Sequence, residues 1–370
     1  MSDSETLPLY ARYTRLAERI PYLPIAVLPT PVRRLETLGG ALGVDLWLKH
    51  DGPSGRLYGG NKVRKLGFLL ASAQQDGAST VLTFGAAGSN HALATAIYAR
   101  ELGLRRVSML VPQPPAHSVR KNLLRQLKAG AEIHYRAGLR QVAAATCWQF
   151  AALCAREGKF PRVIPTGGSS PTGILGFVNA ALELKGQIER GETPEPDLIY
   201  VASGTMGTAV GLALGARLAG LRARVVAVRV TAERFTNAER GEKLYTATNE
   251  LLHQNDPAVP LIPHADAALS LRHEFLGEQY ALYTEAGMEA VRRLDDAEGI
   301  RLEGTYTGKA FACLLSDAAA GTLAGKRVLF WNTHNSVDFS KEIAGADYHQ
   351  LPAELHRYFE EAVQPLDQPA

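Results

Sequence analysis

The chain has 370 residues, 46% of them hydrophobic, and a net charge of +3, which suits a globular protein of about two domains and excludes a disordered chain. The charge is nearly balanced and no dense Lys/Arg block occurs, so nucleic acid is not an expected partner. No apolar run is long enough to cross a bilayer, and three cysteines do not form a disulfide framework. The first residues, MSDSETLPLY, show no basic n-region and no apolar h-region, so no signal peptide and a cytoplasmic protein are expected.

Short β-branched segments alternate along the chain with longer segments rich in Ala and Leu. This alternation predicts an α/β protein built of βαβ units, with mostly parallel sheets covered by helices on both faces. The predicted strands and helices, in chain order, are Val81–Phe84, Asn90–Leu102, Arg106–Val111, Ser118–Ala129, Asp197–Ala202, Thr208–Ala219, Arg224–Val230 and Arg327–Trp331.

Two loops rich in small residues divide the chain. Arg56–Asn61 is rich in Gly, and Pro165–Gly173 is dense in Gly, Pro and Ser. The segment that they bracket contains its own βαβ units. We therefore predict an inserted small domain over residues 62–173 and a large domain formed by residues 1–61 and 174–370.

The C-terminal tail, beyond about Asp347, is polar and carries one apolar patch, at Leu355, Tyr358 and Phe359. Chain ends with few apolar residues are usually poorly ordered. The composition therefore predicts a peripheral helix and a frayed end.

The first loop that indicates chemistry is Gly59–Leu66 (GGNKVRKL). Lys62 and Lys65 lie three residues apart and share one face of a helix. Cations in a first turn oppose the helix dipole, and the two preceding glycines allow another group to approach the backbone. A solvated turn with surface lysines is the ordinary alternative, but an anion or cofactor explains both features better.

Two more loops follow predicted strands and end in polar residues. Phe84–His91 (FGAAGSNH) has Ser89, Asn90 and His91 in a row at a helix start, whereas capping a helix needs only one such residue. Arg327–Asn335 (RVLFWNTHN) also ends in polar side chains. Ligands of open α/β sheets bind beyond the carboxyl ends of strands, so both loops are candidate site loops.

The strongest local signal is Asp197–Gly211 (DLIYVASGTMGTAVG), where a strand, a loop of small residues and a helix follow one another. Such a helix N-terminus favours phosphate, because its N–H groups and its dipole point at the anion. A tight turn without a ligand is the alternative. The glycine spacing matches neither the dinucleotide fingerprint nor the P-loop. The loop residues are Ser203, Gly204, Thr205, Met206, Gly207 and Thr208.

A phosphate site together with a lysine in an unusual environment is typical of pyridoxal phosphate. A nicotinamide oxidoreductase would use a similar strand–loop–helix pattern, with Glu233 as an acid for the ribose. The glycine spacing argues against that alternative, and it leaves the lysines of GGNKVRKL unexplained. No metal site is predicted.

Four segments occur in this order: GGNKVRKL, GASTVLTFGAAGSNH, PTGGSSPTGILGFVNAALEL and TYTGKAF. Together they resemble the D-cysteine desulfhydrase and 1-aminocyclopropane-1-carboxylate deaminase family. The resemblance runs from about Leu28 to about Val337. It implies the two-domain fold of the tryptophan synthase β subunit (fold type II), pyridoxal 5′-phosphate as cofactor, a small amino-acid substrate and a homodimer.

The resemblance also implies roles for residues in the first two motifs. Lys62 would hold the cofactor covalently, and Lys65 would contact its phosphate. Ser89 would be a catalytic, substrate-side serine. Asn90 would bond the phenolic oxygen of the cofactor, and His91 would lie near the substrate carboxylate.

Later in the chain, Ser203–Thr208 takes the position of the phosphate cradle. Tyr306 matches an active-site tyrosine, and Tyr280 lies where the family has a Tyr-Gly-x-Pro stretch. Thr333 matches the hydroxyl residue that faces the pyridine nitrogen.

The chain departs from the family at Gly88, where Gln is common, at Ala281, where Gly is usual, and at His334. The cofactor residues are thus kept, and the substrate-facing ones differ. The predicted function is that of a pyridoxal-phosphate-dependent lyase or deaminase, most similar to D-cysteine desulfhydrase, that releases an α-keto acid and ammonia. Activity on 1-aminocyclopropane-1-carboxylate or L-cysteate, and a non-catalytic binding protein, remain alternatives.

Overall fold

The computed structural model describes residues 6–367 and confirms the α/β class with parallel sheets flanked by helices. Each predicted element is present, and its ends lie within one or two residues of the predicted ones. The strands are β1 (Val32–Arg34), β2 (Asp45–His50), β3 (Thr80–Ala86), β4 (Arg105–Val111), β5 (Glu132–Tyr135), β6 (Arg162–Ile164), β7 (Leu198–Ser203), β8 (Arg224–Arg229), β9 (Leu269–Arg272) and β10 (Arg327–Asn332).

Helices separate most of these strands, as βαβ units require. They are α1 (Pro8–Arg12), α2 (Leu16–Arg19), α3 (Glu36–Leu42), α4 (Asn61–Gln75), α5 (Asn90–Glu101), α6 (His117–Lys128), α7 (Leu139–Glu157), α8 (Pro171–Glu189), α9 (Gly207–Leu218), α10 (Ala238–Asn255), α11 (Glu285–Glu298), α12 (Thr307–Ala319), α13 (Ser340–Ile343) and α14 (Arg357–Glu360). Short 3₁₀ turns lie at Thr166–Gly168, Glu233–Phe235, His264–Asp266, Tyr348–Gln350, Ala353–Leu355 and Pro365–Asp367. Among the described residues, no helix is both long and apolar enough to cross a membrane.

The chain divides into two compact units. Unit 1 runs to Phe68 and continues over Ser169–Ser336, whereas unit 2 comprises Leu69–Gly168 and the chain from Val337 onward. The division falls within α4, so the first turns of that helix belong to unit 1. The predicted small domain, 62–173, differs from unit 2 in three places. Residues 62–68 and 169–173 lie in unit 1, and the chain from Val337 onward lies in unit 2.

Unit 1 contains a six-stranded sheet in the order β1-β2-β10-β7-β8-β9, parallel except for β1. Alternate residues of its central strands enter two different cores, because successive side chains of a strand point to opposite faces. In β10, Leu329 and Trp331 pack with α8, α9 and α10, whereas Val328 and Phe330 pack with α11 and α12. Both faces of the sheet are therefore covered.

Unit 2 contains a four-stranded parallel sheet in the order β5-β4-β3-β6. Its core includes Leu82 of β3, Val107 and Met109 of β4, and Leu153 of α7. The carboxyl end of β3 leads directly into the loop before α5. The topology of the smaller sheet thus places that loop at a strand end, as predicted.

The tail differs from the prediction, because its apolar patch is buried within unit 2. Leu355 and Tyr358 are 0% and 1% exposed. The Tyr358 hydroxyl accepts from the Gln113 backbone N–H (3.0 Å) and donates to the Gln113 carbonyl (3.1 Å), and Arg120 Nε donates to the Tyr358 carbonyl (2.7 Å). These bonds hold the predicted helix, observed as α14, as an ordered part of unit 2. The predicted frayed end extends to residues 368–370, which lie outside the described residues.

Candidate active site

The GGN loop before α4 is closely packed against the chain that follows β10. The Asn61 N–H donates to the Thr333 carbonyl (3.2 Å), and the Gly59 N–H donates to Asn335 Oδ1 (2.6 Å). Gly60 has a φ of +78°, and a β-carbon there would lie 2.7 Å from the Thr333 carbonyl oxygen. Only glycine meets both conditions, so this loop fixes where α4 begins.

Lys62 is the second residue of α4 and is half-buried. Burial lowers the pKa of its amine to about 8. Within residues 6–367, no side chain or backbone group forms a hydrogen bond or an ion pair with this amine. Near neutral pH the amine therefore exchanges protons readily, as a nucleophile or base requires.

Lys65 lies one turn further along α4 and is only 1% exposed. Its Nζ donates to Ser169 Oγ (3.3 Å), and Ser169 Oγ contacts Thr205 Oγ1 (2.7 Å). A β-carbon on Gly207 would lie 2.8 Å from Lys65 Nζ. The glycine thus lets the Lys65 amine and two hydroxyls gather at the N-terminus of α9, which is a set of donors suited to phosphate.

The loop between β7 and α9 keeps its amide groups available. Within residues 6–367, no group accepts from the backbone N–H of Thr205, Met206 or Gly207. The Gly204 carbonyl accepts from the hydroxyls of Thr231 (2.6 Å) and Thr236 (2.8 Å), which holds the loop in place. Donors without acceptors at a fixed helix N-terminus are what an anion site needs.

Three further residues shape this loop. Met206 is buried and has a φ of +68°, an uncommon conformation for a residue other than glycine. Ser203 Oγ donates to the Met206 sulfur (3.4 Å), and Thr208 Oγ1 accepts from Asn61 Nδ2 (3.2 Å). The last bond ties the start of α9 to the residue before Lys62.

Tyr280 and Tyr306 form a hydroxyl pair in unit 1, with a short hydrogen bond between their oxygens. Burial raises the pKa of Tyr280 to about 12, and burial together with Tyr280 raises the pKa of Tyr306 well above its ordinary value. Both hydroxyls therefore stay protonated at neutral pH and can donate. After Tyr280, Ala281 has a φ of +63°, a conformation in which glycine is less strained.

Glu303 is a residue near this pair that sequence reasoning missed. Its carboxylate accepts from the backbone N–H groups of Thr305 (2.9 Å), Tyr306 (2.7 Å) and Thr307 (2.8 Å). It thereby closes the first turn of α12 and fixes Tyr306 at the helix start. An acidic residue four positions before the Thr307–Ala319 segment was the signal in the sequence, although that helix was not among the predicted elements.

The residues after β10 lie beside the GGN loop. Thr333 is buried, and its carbonyl accepts from Asn61, as described above. The His334 N–H donates to Asn332 Oδ1 (3.0 Å), and burial lowers the pKa of His334. The predicted partnership of Thr333 with the pyridine nitrogen stays a prediction.

The remaining predicted residues lie in unit 2, at the start of α5. Ser89 is the N-cap, and its Oγ accepts from the Ala92 N–H (3.2 Å). This cap uses the oxygen of Ser89 as an acceptor and leaves its O–H as a donor. Asn90 Oδ1 accepts from Asn122 Nδ2 (2.8 Å), and His91 is 2% exposed.

The space beside Gly88 is occupied. Its N–H donates to Gln113 Oε1 (2.9 Å). A β-carbon on Gly88 would lie 2.8 Å from Val119 Cγ2 and 3.0 Å from Gln113 Nε2. The space next to position 88, which a larger side chain would need, is therefore filled by the side chains of Gln113 and Val119.

A buried ion network lies against the same turn of α4 and was not foreseen. Arg64 donates to Asp51 Oδ1 (2.8 Å) and Glu183 Oε2 (2.9 Å), and Lys49 donates to Glu183 Oε1 (2.6 Å). Trp331 Nε1 donates to the second oxygen of Asp51 (2.8 Å). The charges of Arg64 and Lys49 are thus balanced by two carboxylates inside unit 1.

The fold and these donors define a class of protein, the fold-type-II enzymes that use pyridoxal phosphate. A family model described as "Pyridoxal-phosphate dependent enzyme" matches residues 23–334. The chain therefore belongs to the pyridoxal-phosphate-dependent enzyme family, and the predicted cofactor and the predicted lyase or deaminase class are confirmed.

Relatives of known name agree with this family. The D-cysteine desulfhydrase of Salmonella paratyphi B is 36% identical over 302 residues, covering 80% of this chain and 88% of the relative. A crystal structure described as an ACC deaminase homologue is 30% identical with a TM-score of 0.75, covering 92% of this chain and 100% of that one. Threonine deaminase isoform 2 of Solanum lycopersicum, at 16% identity and a TM-score of 0.58, shares the fold.

Proposed function

We propose that this chain catalyses the α,β-elimination of a small amino acid with a sulfur leaving group, as a D-cysteine desulfhydrase does. The observation that carries the proposal is the Lys62 amine, whose pKa is about 8, one turn from the Lys65 amine at the α9 N-terminus. The identity to the Salmonella enzyme supports the substrate class. The products would be a keto acid, ammonia and hydrogen sulfide.

The donors of unit 1 fit pyridoxal phosphate. Lys65, Ser169, Thr205 and the amides at the start of α9 would hold its phosphate, and Lys62 would hold it covalently. Asn90 and Thr333 would contact its ring, as the family resemblance implies. When bound, the cofactor withdraws electrons from the α-carbon of the amino acid.

The protein's own groups would then move protons. The Lys62 amine can accept the α-proton and return one, because its pKa lies near neutrality. The protonated pair Tyr280 and Tyr306 can donate to a departing sulfur. Ser89 keeps an O–H donor beyond its role as a cap, and His91 would contact the substrate carboxylate.

A second candidate is the deaminase reaction on 1-aminocyclopropane-1-carboxylate. The similarity to the structure described as an ACC deaminase homologue favours it. That substrate has no α-proton, so Lys62 could not act in the same way on it. We also propose a homodimer and a cytoplasmic location, which three free cysteines fit.

Purified enzyme loaded with cofactor should release keto acid from D-cysteine faster than from L-cysteine, L-cysteate, chloroalanine or 1-aminocyclopropane-1-carboxylate. Borohydride reduction followed by peptide mapping should place the pyridoxyl group on Lys62. Preference for the cyclopropane substrate would favour the second candidate. An adduct on another lysine, or bound cofactor without turnover of any of these compounds, would contradict the proposal.

The role of Ser89 can be separated from its role as a cap. Ser89→Ala should keep the visible absorbance of the cofactor and lose turnover by about 10²–10⁴-fold. Asn237→Ala is the matched control, since it removes the N-cap of α10, whose Oδ1 accepts from the Arg240 N–H (2.8 Å). Both variants should lose about 1 kcal/mol of stability. Full turnover in Ser89→Ala would leave the residue a helix cap alone.

A further inference from the structure

Asn122 of α6 lies beside the loop that carries Asn90 and is 6% exposed. Its Nδ2 donates two hydrogen bonds, one to the Gly88 carbonyl (2.9 Å) and one to Asn90 Oδ1 (2.8 Å). Neither Asn122 nor α6 was predicted to contribute to the site. The two bonds connect a backbone carbonyl to the side chain of a predicted cofactor residue.

These bonds determine how both amide groups are turned. A backbone carbonyl can only accept, so the Asn122 side chain must present its nitrogen to Gly88. The same nitrogen faces Asn90, which must therefore present its oxygen. The nitrogen of the Asn90 amide is then directed away from Asn122, as a donor.

The Gly88 peptide is itself held from its other side. Its N–H donates to Gln113 Oε1, and the backbone of Gln113 is bonded at both N–H and carbonyl by the Tyr358 hydroxyl. The Gly88 carbonyl is thus held in one position, and it determines which way the Asn122 amide faces. This chain of bonds runs from the C-terminal segment through Gln113 to Asn90, all within unit 2.

We propose that Asn122 is a positioning residue that makes Asn90 present its N–H, and not its carbonyl oxygen, to the phenolic oxygen of pyridoxal phosphate. The inference rests on the proposed function, in which Asn90 contacts that oxygen. The phenolic oxygen is anionic in the bound cofactor, so an N–H attracts it in a charge-assisted hydrogen bond, whereas a carbonyl oxygen would repel it.

The test compares two ligands on one variant. Asn122→Asp has only acceptor oxygens at pH 8, so Asn90 must turn its nitrogen toward the new carboxylate and its oxygen toward the ligand. The dissociation constant of pyridoxal phosphate, measured on enzyme stripped of cofactor and titrated by absorbance, should rise about tenfold or more. That of 3-deoxypyridoxal 5′-phosphate, which lacks the phenolic hydroxyl, should change less than about twofold.

Asn179→Asp is a matched control, because Asn179 is also buried and its Oδ1 accepts from the Leu9 N–H (3.0 Å), a bond that a carboxylate keeps. It should leave both dissociation constants unchanged. If Asn122→Asp does not fold, Asn122→Ala removes the donor without adding charge. It should weaken the binding of pyridoxal phosphate by about three- to tenfold and leave the binding of the 3-deoxy analogue unchanged.

The outcomes separate the inference from the proposed function. If the wild-type enzyme binds pyridoxal phosphate covalently and the variants weaken the binding of both ligands equally, Asn122 only stabilises the loop and does not orient Asn90. Variants that bind both ligands as wild type does would overturn its positioning role. Wild-type enzyme that binds neither ligand would overturn the proposed function and this inference together.

Discussion

Three cations occupy residues 62–65 at the start of α4, and their surroundings differ. Arg64 is enclosed by the carboxylates of Asp51 and Glu183, which outweigh its burial and raise its pKa. Lys62 and Lys65 lie in the same turn, and burial lowers the pKa of both. The positive charge of Lys62 lowers the pKa of Lys65 further.

One helical turn thus contains both a stabilising ion pair and two amines that are able to react. A buried cation with two carboxylate partners is locked in its charged form and holds the helix in place. A buried amine with a lowered pKa is costly to charge, but it can react with a carbonyl or take a proton. Arg64 thus belongs to the scaffold, and the lysines on either side of it are the ones predicted to contact the cofactor.

The largest expected effect is that of Lys62→Ala. It should abolish covalent attachment of the cofactor and reduce keto-acid release by about 10⁴-fold or more, because the nucleophile and the candidate base are lost together. The stability of the cofactor-free protein should not fall. Lys243→Ala, at a 75% exposed side chain, should change neither quantity. A loss of stability comparable with that of an Arg64 variant would contradict the distinction between scaffold and site.

Arg64→Met should lower the free energy of unfolding by about 3–5 kcal/mol, because it leaves Asp51 and Glu183 buried without a guanidinium partner. Burial alone would raise the pKa of Glu183, but Arg64 and Lys49 lower it to about 2, so the carboxylate is charged at every physiological pH. Denaturant unfolding measures the change. Arg222→Met, at an 88% exposed side chain, should stay within about 0.5 kcal/mol of wild type.

Gly204 and Gly207 lie in the loop between β7 and α9, and one added methyl group should affect cofactor binding differently at each. Gly207→Ala would place a β-carbon against Ser169 Oγ and 2.8 Å from Lys65 Nζ, and should weaken cofactor binding by about tenfold or more. Gly204→Ala would bring only ordinary contacts, at 3.4 Å to Thr231 and 3.5 Å to Tyr306, and should change binding by less than about threefold. Equal effects in a cofactor titration would show that crowding of Ser169 and Lys65 beside Gly207 does not control cofactor binding.

The lowered pKa of Lys62 should also make the stability of the cofactor-free protein depend on pH. The pKa of Lys62 falls from 10.5 to about 8 on folding, so between these values the unfolded chain binds more protons and stability rises with pH. Lys62→Met removes this dependence. Its stability advantage over wild type should be largest below about pH 8 and should shrink as the pH approaches 10.5. A constant difference across that range would mean that burial does not shift the amine.

Much of the fold follows from local patterns in the sequence. The strands β3, β4, β7, β8 and β10 are runs of apolar and β-branched residues, and two of the helices, α5 and α10, begin after the capping residues Ser89 and Asn237. The motif around Lys62 and the small residues of 203–208 are also contiguous, so both loops can be predicted without a structure. The family, the cofactor and the enzyme class were predicted on the same residues.

The partners of those residues could not be predicted, because they come from distant parts of the chain. Ser169 reaches Lys65, Glu303 closes the turn at Tyr306, and Asn122 turns the amide of Asn90. The tail is similar, since its polar composition gives no sign that Tyr358 bonds to Gln113. Such contacts depend on how sheets and helices pack, which no short stretch of sequence encodes.

The order of elements could be predicted from sequence alone, and the same local patterns predict which lysine would hold the cofactor and which loop would hold its phosphate, because each depends on neighbouring residues. The tertiary structure decided which cations of α4 are balanced, which glycines tolerate a side chain, and how the Asn90 amide is turned. Those properties depend on carboxylates, ammonium groups and carbonyls that only the folded chain brings within hydrogen-bonding distance.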